Sequence, residues 1–196
     1  MVAETRIYFE GDPTLREGFR VFFGELATAL GRQPSLIAGD GREMAIADFL
    51  TALKKHPGAF NILLIDSEGP DDGRLFESIC RPQRVDLRSK DRVFWMVQCM
   101  ETWFLADVEA LRRYYGKEFR ESAMPRNPKV EEIPKKDVFE ALKAATRTSK
   151  NPYDDRTKSK HAPRLLKLID PALVKQASAH CRRLFESVPK LAQPAL

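Results

Sequence analysis

Phe60-Asn61-Ile62-Leu63-Leu64-Ile65 is the most apolar short run of the chain, and it stops at once on Asp66-Ser67-Glu68-Gly69-Pro70. It is far too short to cross a bilayer, which takes about 20 residues. Its near lack of polar alternation fits a central strand of a parallel sheet, covered on both faces. Such a strand needs others beside it, and the preceding residues supply them. Arg6-Ile7-Tyr8-Phe9 is a short β-forming stretch closed by Glu10-Gly11-Asp12-Pro13. Leu15, Phe19, Phe22, Phe23, Leu26 and Leu30 then recur at helical spacing, with Thr14 placed to cap and Gly31 to terminate. Ser35 to Ala38 reads as a second strand, closed by residues 39–41. Met44, Ile46, Phe49, Leu50 and Leu53 mark a second helix, broken at His56-Pro57-Gly58. Residues 5–68 thus read β-α-β-α-β, which calls for right-handed crossovers, a Rossmann-like parallel sheet flanked by helices, and ligands beyond the carboxyl ends of the strands.

The rest is more helical. Residues 69–91 are loop-rich, with helical character near Leu75 to Ile79. Residues 93–97 read as a fourth strand, and residues 100–115 as one helix ended by Gly116. A proline-containing connector over 119–134 leads to an amphipathic helix from Lys135 to Thr146. A polar loop over 148–159 precedes short helices at 162–169, 171–177 and about 180–188. The expected organisation is an α/β core over 1–116 and a helical, basic C-terminal extension over 117–196 packed on it as one compact unit.

Charge divides the same way. Residues 1–88 hold 11 Lys+Arg against 14 Asp+Glu, a net −3, whereas residues 89–196 hold 22 against 14, a net +8. An acidic half beside a basic half suits a protein that gathers cations in one place and polyanions in another. The plainer reading of the basic half is a set of solvated helix faces. Three cysteines, Cys80, Cys99 and Cys181, are far apart and form no CxxC pair, which argues against a disulfide scaffold or a zinc site. With no secretory signal and no membrane span visible, a cytoplasmic protein is expected.

Chemistry concentrates in Glu10, Asp66 and Glu68. Glu10 ends strand one and Asp66-x-Glu68 ends strand three, and in a doubly wound sheet these strands are neighbours about 5 Å apart. Carboxylates held that close repel unless protons or a cation compensate, and hard oxygen donors suit Mg²⁺ or Mn²⁺. Each residue taken singly is an ordinary strand-end acid; the combination is what points to a site. A phosphoacceptor domain shares this arrangement but would want a Lys closing a later strand, and no convincing one is present. Glu101 follows the fourth strand and is a further candidate for the acidic cluster, or merely a favourable charge at a helix start. Trp95, Trp103 and Phe104 have the spacing of core residues rather than of base-stacking platforms. Lys135, Lys136, Lys143, Arg147, Lys150, Arg156, Lys158 and Lys160 surround Tyr153 and can track a phosphate backbone. There is no GxxxxGK[ST], no GxGxxG after a strand and no HExxH.

Several segments together resemble the bacterial family known as domain of unknown function 4276. They are Tyr8-Phe9-Glu10-Gly11, Gly41-Arg42, residues 63–68, the block from Met96 to Asp107, Tyr114-Tyr115-Gly116, Ile133-Pro134-Lys135 and Lys158-x-Lys160-His161. That family is similar to TOPRIM domains, which place a Glu after the first strand and Asp-x-Asp after the third. The resemblance implies Glu10 as general acid/base or metal ligand, and Asp66 and Glu68 as Mg²⁺ ligands; Glu68 departs from the usual Asp. Position adds Glu101 beside Glu10 as a catalytic candidate, and charge puts Arg42, Lys135, Lys136, Lys158, Lys160 and His161 on the nucleic acid, with solvated helix and loop residues as the alternative for the lysines and a helix N-cap neighbour as that for His161. Members of the family look like partners of ATPases in anti-phage or DNA-processing systems. The expectation is a Mg²⁺-dependent protein that cleaves or transfers phosphodiesters in nucleic acid. The alternative is a subunit without turnover that docks on an ATPase or DNA complex.

Overall fold

A computed structural model describes residues 4–193. Strands β1 (Thr5–Glu10), β2 (Ser35–Gly39), β3 (Phe60–Asp66) and β4 (Val93–Met96) form one four-stranded, all-parallel sheet in the order β2-β1-β3-β4. The β1–β3 adjacency on which the acidic cleft depends is therefore present, with Phe9 opposite Leu64. The period of two along each strand sorts side chains to two cores. Tyr8, Leu63, Ile65 and Trp95 face one layer, where helix α3 (Arg42–Lys55) brings Ala45, Ile46 and Phe49. Ile7, Phe9, Ile62, Leu64, Phe94 and Met96 face the other. That larger core takes in α1 (Leu15–Phe22), α2 (Gly24–Leu30), α4 (Val108–Tyr115), α5 (Lys135–Thr146), α6 (Lys158–Leu168), α7 (Pro171–Ala177) and α8 (Ala179–Leu191). No helix among the described residues is long and apolar enough to cross a membrane.

Helix α6 starts at Lys158, inside the loop expected over 148–159, and two expected helices are broken, both where consecutive large residues must all be buried. The helix expected over 15–30 is two helices, α1 and α2, because the chain leaves helical geometry at Phe23. The break lets Phe22 stack on Trp103 (centroids 4.9 Å apart) while its neighbour Phe23 stacks on Phe19 (5.3 Å). Gly31 does end the pair, at φ 71°. Thr14 makes no capping bond with its side chain; Asp12 Oδ1 instead accepts from the Thr14 N–H. The helix expected over 100–115 is a series of 3₁₀ turns, Met100–Ala106, followed by α4. Residues 100–105 are all buried, which one helix face cannot achieve, and Asp107 caps the new helix through the Ala110 N–H at 3.0 Å.

The three cysteines are buried and unpaired. The loop after β3 is tied to the C-terminal helices by His180, whose Nδ1 lies 3.2 Å from Glu131 and Nε2 3.0 Å from Asp71. Burial pulls the His180 pKa down, but the bond and charge of Glu131, and then Asp71, outweigh it and the net shift is upward. The protonated imidazole therefore stabilises the fold fully below its unfolded value, about 6.5, and this contribution is lost as pH rises through the raised folded value. Thermal melts of wild type and His180→Gln should differ by about 2 °C or more at pH 6. The difference should shrink above neutrality; a constant gap across pH would remove the charge from the explanation.

Candidate metal centre

Glu10 is the last residue of β1 and Asp66 the last of β3, so the parallel pairing carries both carboxylates to one rim of the sheet. The chain then turns sharply. The Glu68 N–H donates to the Gln98 carbonyl at 2.9 Å, and Glu68 sits at φ 65°, a region seldom occupied by residues with a side chain. One oxygen from each of Glu10, Asp66 and Glu68 falls within 4.8 Å of the others. Glu10 Oε2 also accepts from the Asp66 N–H at 3.2 Å, and Asp66 Oδ1 accepts from the Met100 N–H at 2.9 Å. The backbone thus fixes where these carboxylates stand.

Two cations complete the cluster. Arg42, the first residue of α3, reaches Glu10 through Nε (3.3 Å), and its Nη2 reaches both Glu68 (3.2 Å) and the Asp66 carbonyl (3.1 Å). Lys135, the first residue of α5, sets Nζ 2.7 Å from each Glu68 oxygen and 3.9 Å from Asp66. Gln98 holds that helix start in place by accepting from the Lys135 N–H at 3.0 Å.

Glu101, buried in the 3₁₀ segment, lines the same cavity as the three carboxylates and accepts a hydrogen bond from the Tyr153 hydroxyl at 3.0 Å. Four carboxylates against two cations leave the cluster in excess negative charge. The electrostatics follow. Burial raises the Glu10 pKa, Arg42 and the Asp66 N–H oppose it, and the net shift is upward. Asp66 is raised well above the usual carboxylate range by burial, then by Glu101 and Glu10, with Lys135 opposing. These groups retain protons more readily than free acids, and a divalent cation would relieve the same repulsion.

The cavity encloses about 800 Å³ between the strand ends and helices α5 and α6. Lys136 and Lys158 line its wall with Lys143, opposite the carboxylates, whereas Lys160 is exposed elsewhere. Arg42 and Lys135, expected to face nucleic acid, are bound to the carboxylates. His161 is a correction: it is 2% exposed, with Nδ1 2.9 Å from the Tyr114 hydroxyl, so it has no open path to a polyanion. Sequence-based reading also leaves out the roles of Gln98, Tyr153 and the Met100 N–H. All three lie in or contact the stretch 96–107, whose mixed polar and aromatic composition is the available signal. Trp95, Trp103 and Phe104 are core residues, as their spacing suggests.

Lys135 and a metal would compete for the same oxygens. Lys135→Met should therefore tighten Mn²⁺ binding by about tenfold in calorimetric titration, since removing a unit charge close to a cation is worth at least about 1.4 kcal/mol. Unchanged affinity would show that the ammonium group does not guard the site.

A family model described as "Domain of unknown function (DUF4276)" matches residues 25–188. The matched stretch includes Asp66, Glu68, Glu101 and Lys135 and begins after β1. No curated protein and no solved structure matches the chain.

Proposed function

This chain belongs to the DUF4276 family, and from its acidic rim we propose a TOPRIM-like, Mg²⁺- or Mn²⁺-dependent protein that cleaves or transfers phosphodiesters in nucleic acid. The observation that carries the reading is the convergence of Glu10, Asp66 and Glu68 to within 4.8 Å from two adjacent parallel strands. The donor set fits the ion: oxygen ligands only, two of them held by backbone N–H groups, with excess negative charge beside them. Glu10, Asp66 and Glu68 would hold the cation. Once bound, it would neutralise charge on a phosphoryl oxygen and make an attacking water more acidic.

The chain's own groups supply the rest. Glu10 is either a ligand of that cation or, where it is left free of it, the group placed to take up or deliver a proton at the attacking or leaving oxygen. Arg42 is the planar, permanently charged donor suited to a phosphate, and Lys135 its point-charge companion. Both are already drawn to the rim by the carboxylates, where they would lie within reach of a substrate phosphate. Tyr153 holds Glu101 at the edge of the cluster, where it is the second candidate for proton handling. The lysines of the cavity wall, Lys136, Lys143 and Lys158, and the net +8 of residues 89–196 supply attraction for a polyanion.

A second reading has its own support. Arg42 and Lys135 already bridge the carboxylates, so side-chain cations occupy part of the rim that a metal would fill. On this reading the chain is a non-catalytic subunit that docks on an ATPase or nucleic-acid complex. The two are separated by incubating plasmid and single-stranded nucleic acid with the protein and Mg²⁺ or Mn²⁺. Cleavage that disappears in Glu10→Ala with binding retained supports the enzyme. No cleavage with either metal, and binding unaltered in Glu10→Ala, supports the docking subunit.

A further inference from the structure

Phe139 stands apart from the other aromatic side chains near the rim. Tyr153 is fully buried and uses its hydroxyl on Glu101. Phe139, packed on Tyr153 with ring centroids 6.4 Å apart, is only partly buried and lines the cavity. Lys136 and Lys143 lie three residues before and four after it on α5, hence on the same helix face, and both line the cavity. Lys158 approaches from α6 and sets Nζ over the Phe139 ring, 5.8 Å from its centroid, so a base that stacks on this face displaces the ammonium group towards the neighbouring phosphate. Lys136 pairs loosely with Glu140 at 3.6 Å, while Lys143 and Lys158 have no ion-pair partner among the described residues. Besides the rim carboxylates and Asp12, three acids line the same cavity: Glu140, Asp154 and Asp155. Asp154 is turned into its own loop, accepting from the Arg156 and Thr157 N–H groups, and Glu140 faces Lys136.

An apolar ring flanked by ammonium groups suits a flat, π-faced group that carries phosphates on either side. Paired bases hide their faces in the stack, whereas an unpaired base presents them. The volume, about 800 Å³, falls within the roughly 300–1,000 Å³ of pockets that enclose small ligands, which favours an unpaired nucleotide over a double helix. We propose that Phe139 is a stacking platform for an unpaired base, with Lys136, Lys143 and Lys158 on the flanking phosphates. The substrate segment that reaches the acidic rim is then single-stranded. This rests on the nucleic-acid reading above and narrows it.

The test uses the full chain in EDTA, so that no turnover occurs, with fluorescence anisotropy as the readout. The probes are a short oligothymidylate and an abasic strand with the same number of phosphates. Wild type should bind oligothymidylate about tenfold more tightly than the abasic strand, the order expected for one stacked base. Phe139→Tyr should keep the preference and Phe139→Leu should lose it. Should Phe139→Leu fail to fold, Phe139→Trp reports directly, its fluorescence quenched by oligothymidylate and not by the abasic strand. Equal binding of the two strands by wild type, or a preference that survives in Phe139→Leu, overturns stacking and leaves the metal reading intact. A wild-type chain that binds neither strand overturns the nucleic-acid reading as well.

Discussion

If the proposed function holds, Asp66→Asn should lower Mg²⁺-dependent cleavage by about a thousandfold or more, the scale of several kcal/mol of lost charge stabilisation, and on either reading it should make the metal-free protein more stable. The substitution keeps an oxygen to accept from the Met100 N–H, now at 2.9 Å, so the rim retains its shape. What it removes is a negative charge that burial, Glu101 and Glu10 all disfavour, with Lys135 alone among the main influences favouring it. A carboxyl whose folded pKa is raised costs stability once pH passes its unfolded value, about 3.9, and the cost grows until pH exceeds the folded value. Wild type without metal should therefore lose stability as pH rises through that window, and Asp66→Asn should show a shallower slope. A residual slope of the same sign remains from Glu10, whose pKa is also raised. Near neutral pH the variant should melt at least about 2 °C higher, the shift of roughly 1 kcal/mol in a chain of this size. Added Mn²⁺ should narrow the gap by stabilising wild type alone. A variant that loses activity and melts lower in EDTA would mean that the carboxylate is a structural ligand of its surroundings rather than a charge held ready for a cation.

Gly39→Ala should cost about 3 kcal/mol or more and lower the melting temperature by about 6–12 °C. Gly39 ends β2 directly beneath the first turn of α3, where an added Cβ would lie 2.3 Å from the Ala45 nitrogen and 2.5 Å from its Cα. Both atoms are helix backbone, so relief requires α3 to move off the sheet. That movement would carry Arg42 from its contacts with Glu10, Glu68 and the Asp66 carbonyl, and would shift Gly11, whose N–H donates to the Gly39 carbonyl at 3.0 Å. Gly24→Ala is the control: it lies in α2 with no atom within 4 Å of the added carbon, and a helical Ala is favoured over Gly there. Equal melting temperatures for Gly39→Ala and wild type would show that β2 and α3 are less tightly joined than their geometry states.

Local pattern carried the sheet. The unbroken run at residues 60–65 and the turn residues after each strand place β1, β2, β3 and β4 to within a residue or so, because backbone period and punctuation are set by neighbours in sequence. Pattern failed at Phe23 and over residues 100–106, where helix-compatible residues are forced by burial into tighter or broken geometry. It also failed for His161, whose basic neighbours suggest an exposed phosphate ligand. Its burial against Tyr114 depends on where α6 meets α4, which no local window contains.

The sequence by itself determined that acidic residues end the first and third strands of a parallel α/β sheet, since chain order and strand polarity alone send those ends to one rim. Only the tertiary structure decided what surrounds them. Arg42 and Lys135 become partners of the carboxylates rather than free basic residues, Tyr153 fixes Glu101, and Phe139 is left half-open beside three lysines. Those outcomes depend on the packing of helices distant in sequence. Coulomb and hydrogen-bond energies depend on distance in space, which is why composition and spacing could name the charges but not their partners.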